Sequence, residues 1–221
     1  MKNIAFSLTL TIAFFLTHDI HAQKKNNYYF NVNNQPVSKG KFNRSKDYRK
    51  VIDVKYMQQD SIIHKLVSRE ESGNIQKNDM ELLRNYLKRC TNKNISPNEI
   101  IVIEYYPGIS PGHSTALGYT DKFFIKSNHQ MLSNGLKELG NPTLIYLYKD
   151  FAGLEKQKGI VPWHQDIDNG IEELFFNYHY RNGSFVVINT DGNYYAFFGE
   201  HSYEQIFGIV EKFKKENGQH Q

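Results

Sequence analysis

Apolar positions along the chain change their spacing several times, and each change marks an element. From Ile4 to Leu16 the chain is almost continuously apolar, interrupted only by Ser7, Thr9 and Thr11. Lys2 precedes this run, and a short polar stretch ending in Ala22 follows it. A basic start, a short apolar middle and a small residue at the cut are the marks of a cleavable export signal. The run is shorter than the roughly 20 residues a spanning helix needs, and no later segment is apolar for long enough to span. No cysteine follows it to carry a lipid. The sequence therefore predicts a leader over residues 1–22, export to the periplasm or the medium, and no transmembrane segment once the leader is cut.

Between residues 23 and 97 the pattern is weak. Tyr28–Val32 predicts a short strand and Asn33–Asn34 a turn. Lys39–Lys50 is polar and basic and predicts a surface loop. Val51–Val67 fits a strand followed by a helix without deciding between them, and Ser72-Gly73-Asn74 reads as a break. A helix over Asn78–Cys90 is clearer: Met80, Leu83, Tyr86, Leu87 and Cys90 recur every three or four positions behind a capping pair, Asn78 and Glu81. Asn92–Asn98 predicts a linker, so the chain divides into a basic, partly helical extension (residues 23–97) and a main domain (98–221).

In that domain the order is regular. Ile100–Tyr106, rich in β-branched and aromatic residues, predicts a strand covered on both faces. Ser127 predicts the start of a helix that Gly140 ends; Thr143–Tyr148 predicts a second strand. Asn169 predicts a helix running on to Asn182-Gly183. Phe185–Ile188 and Tyr194–Phe198 flank an Asp191-Gly192 turn, the strongest hairpin signal in the chain. Ser202 with Gln205 predicts the cap of the last helix. A strand–helix–strand unit makes parallel neighbours, and the hairpin adds an antiparallel pair. The predicted class is α/β, a mixed sheet flanked by helices, with Ile100–Tyr106 central and Tyr194–Phe198 nearer an edge.

Asn141–Tyr146 resembles a central strand of the thioredoxin-like fold, and Ser184–Tyr194 resembles its closing hairpin. The element order of the carboxyl-terminal half resembles that fold as a whole. The resemblance implies the fold and places a ligand beyond the carboxyl end of the first strand, at Pro107–Ser114. It does not carry over the family's dithiol chemistry. Members of the redox kind have Cys-x-x-Cys after that strand and a cis proline before the third. Here Pro107–Ser114 holds no cysteine and Arg181–Ser184 no proline.

Composition narrows the function. Cys90 is the sole cysteine, which excludes an internal disulfide and a dithiol centre; at the end of an amphipathic helix it reads as a small buried hydrophobe. Residues 24–93 carry 16 Lys and Arg against 7 Asp and Glu, whereas residues 94–221 carry 10 against 15. Such a split predicts two functional surfaces, or one segment held against the other by long-range attraction. No nucleic-acid motif accompanies the basic part.

Three groups of side chains carry candidate chemistry. His113 and Ser114 lie in the long loop after the first strand, where open α/β sheets take ligands. Trp163, with the surplus of Tyr and Phe, suits a groove for a peptide, glycan or protein partner. His164, Asp166 and Asp168 alternate and would share one side of an extended segment, a spacing that fits metal ligation, with Glu172, Glu173 and His179 following. Asp166 and Asp168 equally suit a helix start, and His201 reads as a surface residue at one. The leading expectation is an exported binding or accessory protein of thioredoxin-like fold without a cofactor. The alternatives are a hydrolase or metal-dependent enzyme using the histidine and acidic cluster, or a redox protein using Cys90 alone.

Overall fold

The computed structural model describes residues 26–109, 121–180 and 182–218, with side chains to residue 216. Its centre is the strand Ile101–Tyr106, three β-branched residues followed by Glu104, Tyr105 and Tyr106, all six of them buried. This strand, β5, takes its place in a six-stranded sheet. In chain order the remaining elements are β1 (Asn26–Phe30), α1 (Lys39–Arg44), β2 (Val51–Gln58), β3 (Ser61–Ser68), β4 (Glu70–Asn74) and α2 (Lys77–Thr91) before it. After it come α3 (Lys122–Glu138), β6 (Thr143–Tyr148), β7 (Trp163–Gln165), α4 (Gly170–Phe175), β8 (Ser184–Ile188), β9 (Asn193–Phe198) and α5 (Tyr203–Gly218). The large sheet runs β4-β9-β8-β5-β6-β7. β5 pairs parallel to β6 and antiparallel to β8; β9 pairs antiparallel to β8. Within it, β9-β8-β5-β6 with crossover helix α3 and closing helix α5 is the thioredoxin-like arrangement. β5 is central, and β9 lies second from the edge.

The two faces of β5 explain its composition. Ile101, Ile103 and Tyr105 pack with α2 residues Met80, Leu83 and Leu87 and with Ile171 and Phe175 of α4. Val102 faces the other way, with Ile125, Leu132 and Leu136 of α3 and Ile206 and Val210 of α5. At about 25 cal/mol per Å² of apolar surface removed from water, these two cores supply the main drive to fold. The Asp191-Gly192 turn sits where expected; Gly192 has φ 85°, and a Cβ there would lie 2.1 Å from the carbonyl oxygen of Ile75.

Several elements depart from the sequence expectations. The expected boundary at Asn98 does not separate two packed bodies: β4 pairs with β9, and α2 forms part of the main core. Ser72-Gly73-Asn74 is strand, not a break; Gly73 is needed because a Cβ would lie 2.6 Å from the Tyr194 ring. Val51–Val67 is a hairpin, with no helix. β2 and β3 turn at Gln59, whose φ is 52°, and β1 joins β3 in parallel to make a three-stranded sheet. Lys39–Arg44 is a short helix anchored by one buried apolar side chain, Phe42, too little for a periodic pattern. α3 begins at Lys122 because the Asp121 carboxylate accepts from the Phe123 amide, five residues before the expected Ser127 cap. α4 stops at Phe175, well short of Asn182.

Arg69 joins the small sheet to the large one. Its guanidinium donates to the carbonyl oxygens of Tyr48 (2.9 Å), Phe198 (3.1 Å) and Glu200, and lies 4.8 Å from the Phe197 ring.

Candidate functional site

A polar loop leaves the end of β6 and returns as the outer strand β7, and its aromatic residues fold back over the α3 face of the sheet. The result is a cavity of about 720 Å³ lined by His129, Tyr148, Phe151, Val161, Pro162 and Trp163 with residues 158–160. Trp163 pairs in register with Tyr146 and packs edge-on to it at 5.1 Å, and to Tyr106 at 6.2 Å. Its indole N–H donates to Gln157 Oε1 at 2.8 Å. That bond satisfies the one polar atom of the ring and fixes its plane. Tyr148 and Phe151 meet edge to face at 5.2 Å. His129 Nδ1 lies 2.9 Å from Tyr146 Oη, and burial holds the imidazole below its usual pKa, so it is neutral near pH 7. Among the described residues no carboxylate lines the cavity. Aromatic faces with a neutral imidazole and an exposed lysine at the rim can stack on a ring or a sugar and donate hydrogen bonds to it.

The structure places the expected site residues unevenly. Trp163 belongs to this cavity. His113 and Ser114 lie outside the described residues, though the start of their loop is close by: the Lys149 amide donates to Tyr106 O at 2.9 Å, and Gly108 packs against Asp150. Sequence reasoning missed His129, Tyr148 and Phe151. The usable signal was a pair of aromatics bracketing the polar exit of a predicted strand.

His164, Asp166 and Asp168 are not brought together as a metal centre; among the described residues no group of three His, Cys, Asp or Glu side chains is placed to hold a metal ion. His164 follows Trp163 in β7. Asp166 is buried and fully engaged. It accepts from the Ile171 and Glu172 amides at 3.0 Å each and from Tyr86 Oη at 2.5 Å, so it caps α4. Burial raises its pKa, against the pull of those three donors. Asp168 is exposed and holds a left-handed turn with φ 56°.

Two further groups bear on chemistry. His201, expected at the surface, is buried, with side-chain exposure of 7%, and its Nε2 lies 3.1 Å from Glu104 Oε1. Its Nδ1 is 3.1 Å from the Gly199 carbonyl oxygen. A carbonyl only accepts, so Nδ1 carries a proton, and a second proton must lie between Nε2 and the carboxylate. Burial opposes charge on His201, but Glu104 outweighs it and the imidazole's pKa is raised. Cys90 is half-buried, and burial pushes its thiol pKa up, the opposite of what a reactive thiolate needs.

No family model and no curated protein matches the chain. Solved structures overlap it in part, among them the following two. One is MTB DsbF in its mixed oxidised and reduced forms, with a TM-score of 0.36, 11% identity, 52% of this chain and 81% of that chain covered. The other is BsSco, a member of the Sco family of cytochrome c oxidase assembly proteins, with a TM-score of 0.35, 14% identity, 66% of this chain and 92% of that chain covered. Overlaps of that size do not bear on activity. The class is a mixed α/β protein of thioredoxin-like topology, an assignment that rests on strand order and the helices flanking the sheet.

Proposed function

We propose that the protein is an exported binding or accessory module of thioredoxin-like fold, without a dithiol, that takes a peptide or glycan partner in the cavity beside Trp163. The observation that carries this reading is the cavity itself: about 720 Å³, walled by Trp163, Tyr148 and Phe151, with the indole already anchored to Gln157. Anchored aromatic rings stack on a ligand at little entropic cost. The leader over residues 1–22 supports export. Hydrolysis through His164 and its acidic neighbours would need Asp166, whose oxygens are committed to Tyr86 and to α4.

Trp163 is the sole tryptophan, so intrinsic fluorescence reports on the cavity directly. Screening peptide and glycan libraries by this signal should yield ligands that shift it on binding. Tyr148→Ala should weaken them by about tenfold or more, about 1.4 kcal/mol. Ligands that bind without moving the Trp163 signal, or that ignore Tyr148→Ala, would refute the site. Mass measurement of protein recovered outside the cytoplasm should give a chain starting near Gln23; an uncut leader would refute that part.

A further inference from the structure

On the opposite face of the sheet, α2 and α4 leave between them a second cavity of about 650 Å³. Ile75, Leu83 and Ile171 form its buried floor. Two large apolar side chains stand unprotected on its walls: Leu82 is 67% exposed and Leu174 47%. One stripe of α2 runs along it, carrying Asp79, Leu82, Tyr86 and Arg89 in that order. These residues sit at spacings of three, four and three, so they share one side of the helix and span about 15 Å.

The order of that stripe is symmetric about its own middle. Asp79 and Arg89 are equally far from the midpoint at position 84, and so are Leu82 and Tyr86. Neither Asp79 nor Arg89 has an ion-pair partner among the described residues. The Arg89 guanidinium lies 5.3 Å from the ring of Tyr86 on its own helix and is thereby held along the stripe. The surface thus offers a projecting leucine, a cavity with an apolar floor and two opposite charges in mirror order.

We infer that this face is where a second copy of the chain docks, with the two α2 helices antiparallel across a two-fold axis near position 84. Each Leu82 then enters the other copy's cavity beside Tyr86 and Leu174, and each Asp79 meets the other copy's Arg89. A two-fold interface requires one patch to be complementary to itself, and this stripe meets that requirement. A parallel pairing would set Asp79 on Asp79 and Arg89 on Arg89 and is repelled. The interface is on the far side of the sheet from the Trp163 cavity, so two copies leave both ligand cavities open.

Sedimentation equilibrium of the purified protein over a micromolar to millimolar range tests this. A reversible monomer–dimer equilibrium that weakens with salt is expected. Leu82→Glu, at an exposed position that should not disturb folding, should weaken it at least about tenfold. Asp79→Arg and Arg89→Asp should each weaken it too. Both changes in one chain, or an equimolar mixture of the two single variants, should restore it, because each then offers opposite charges across the axis. These charge variants keep the test decisive if Leu82→Glu misfolds. A monomer at every concentration, a dimer indifferent to Leu82→Glu, or charge variants that fail to rescue one another would each overturn the inference. Tyr148→Ala should leave the equilibrium unchanged, which separates this face from the ligand cavity.

Discussion

Replacing His201 with Leu leaves Glu104 as a carboxylate without its partner in the middle of the central strand. The two side chains are 7% and 12% exposed and 3.1 Å apart, and the Phe185 ring packs against the imidazole at 4.8 Å. Removing one member of a buried pair costs about 3–5 kcal/mol, because the remaining charge has lost its compensation, whereas replacing both by apolar residues is often close to neutral. His201→Leu should therefore lower unfolding free energy by about 3–5 kcal/mol at pH 7, while His201→Leu combined with Glu104→Leu should recover most of that loss. The pH dependence has a definite sign. His201 has a raised pKa in the folded state, so its contribution is fully present below the unfolded value of about 6.5 and is lost as pH rises through the folded value. Urea unfolding followed by Trp163 fluorescence, at steps from pH 5.5 to 8.5, measures both effects. Equal stability of His201→Leu and the unaltered protein, or a double variant worse than the single, would refute the pairing argument. So would a stability that climbs across this range in the unaltered protein but not in the double variant.

Other expectations follow from the same packing. Ile103→Ala should cost about 2–5 kcal/mol and Val102→Ala about 1.5 kcal/mol or more; because the two face opposite cores, a negligible loss at either would show that side of β5 to be open. Asp166→Ala leaves two amides of α4 without an acceptor and the Tyr86 hydroxyl with the Ile167 carbonyl oxygen alone, and should cost about 2–4 kcal/mol, read as a lower urea midpoint; full stability would show the cap to be idle. Cys90, half-buried with a raised thiol pKa, should label slowly at pH 7 and rapidly in urea; rapid labelling of the folded protein would revive a thiol mechanism.

Elements governed by neighbours in sequence were legible, and those governed by distant partners were not. Ile101–Tyr106 and the Asp191-Gly192 turn carry their own instructions, in side-chain branching and in the φ that Gly192 supplies. β4 carries almost none: Glu70–Asn74 is polar and becomes strand because β9 offers it an edge. The capping of α3 by Asp121 was hidden because Ser127, inside the helix, matched the same signal with a plausible partner at Gln130. The site divides along the same line. Trp163 could be singled out as the lone tryptophan, but His129 becomes a lining residue only when α3 crosses above β6. The Glu104–His201 pair had a signal that went unused, since an acidic residue within a strand expected to be covered on both faces demands a partner.

The strand β4 has a consequence for the order in which the molecule can be completed. Glu70 lies opposite Phe197 and Asn74 opposite Asn193, so this edge of the sheet is closed by segments more than a hundred residues apart in sequence. A chain leaving the ribosome presents the β4 segment and α2 long before β9 exists to receive them. Pairings this distant in sequence slow folding, because the loop must be closed before its contacts are gained. The last strand made is therefore the one that locks the early part of the chain in place, and a chain cut short before Asn193 would leave that part without its lock.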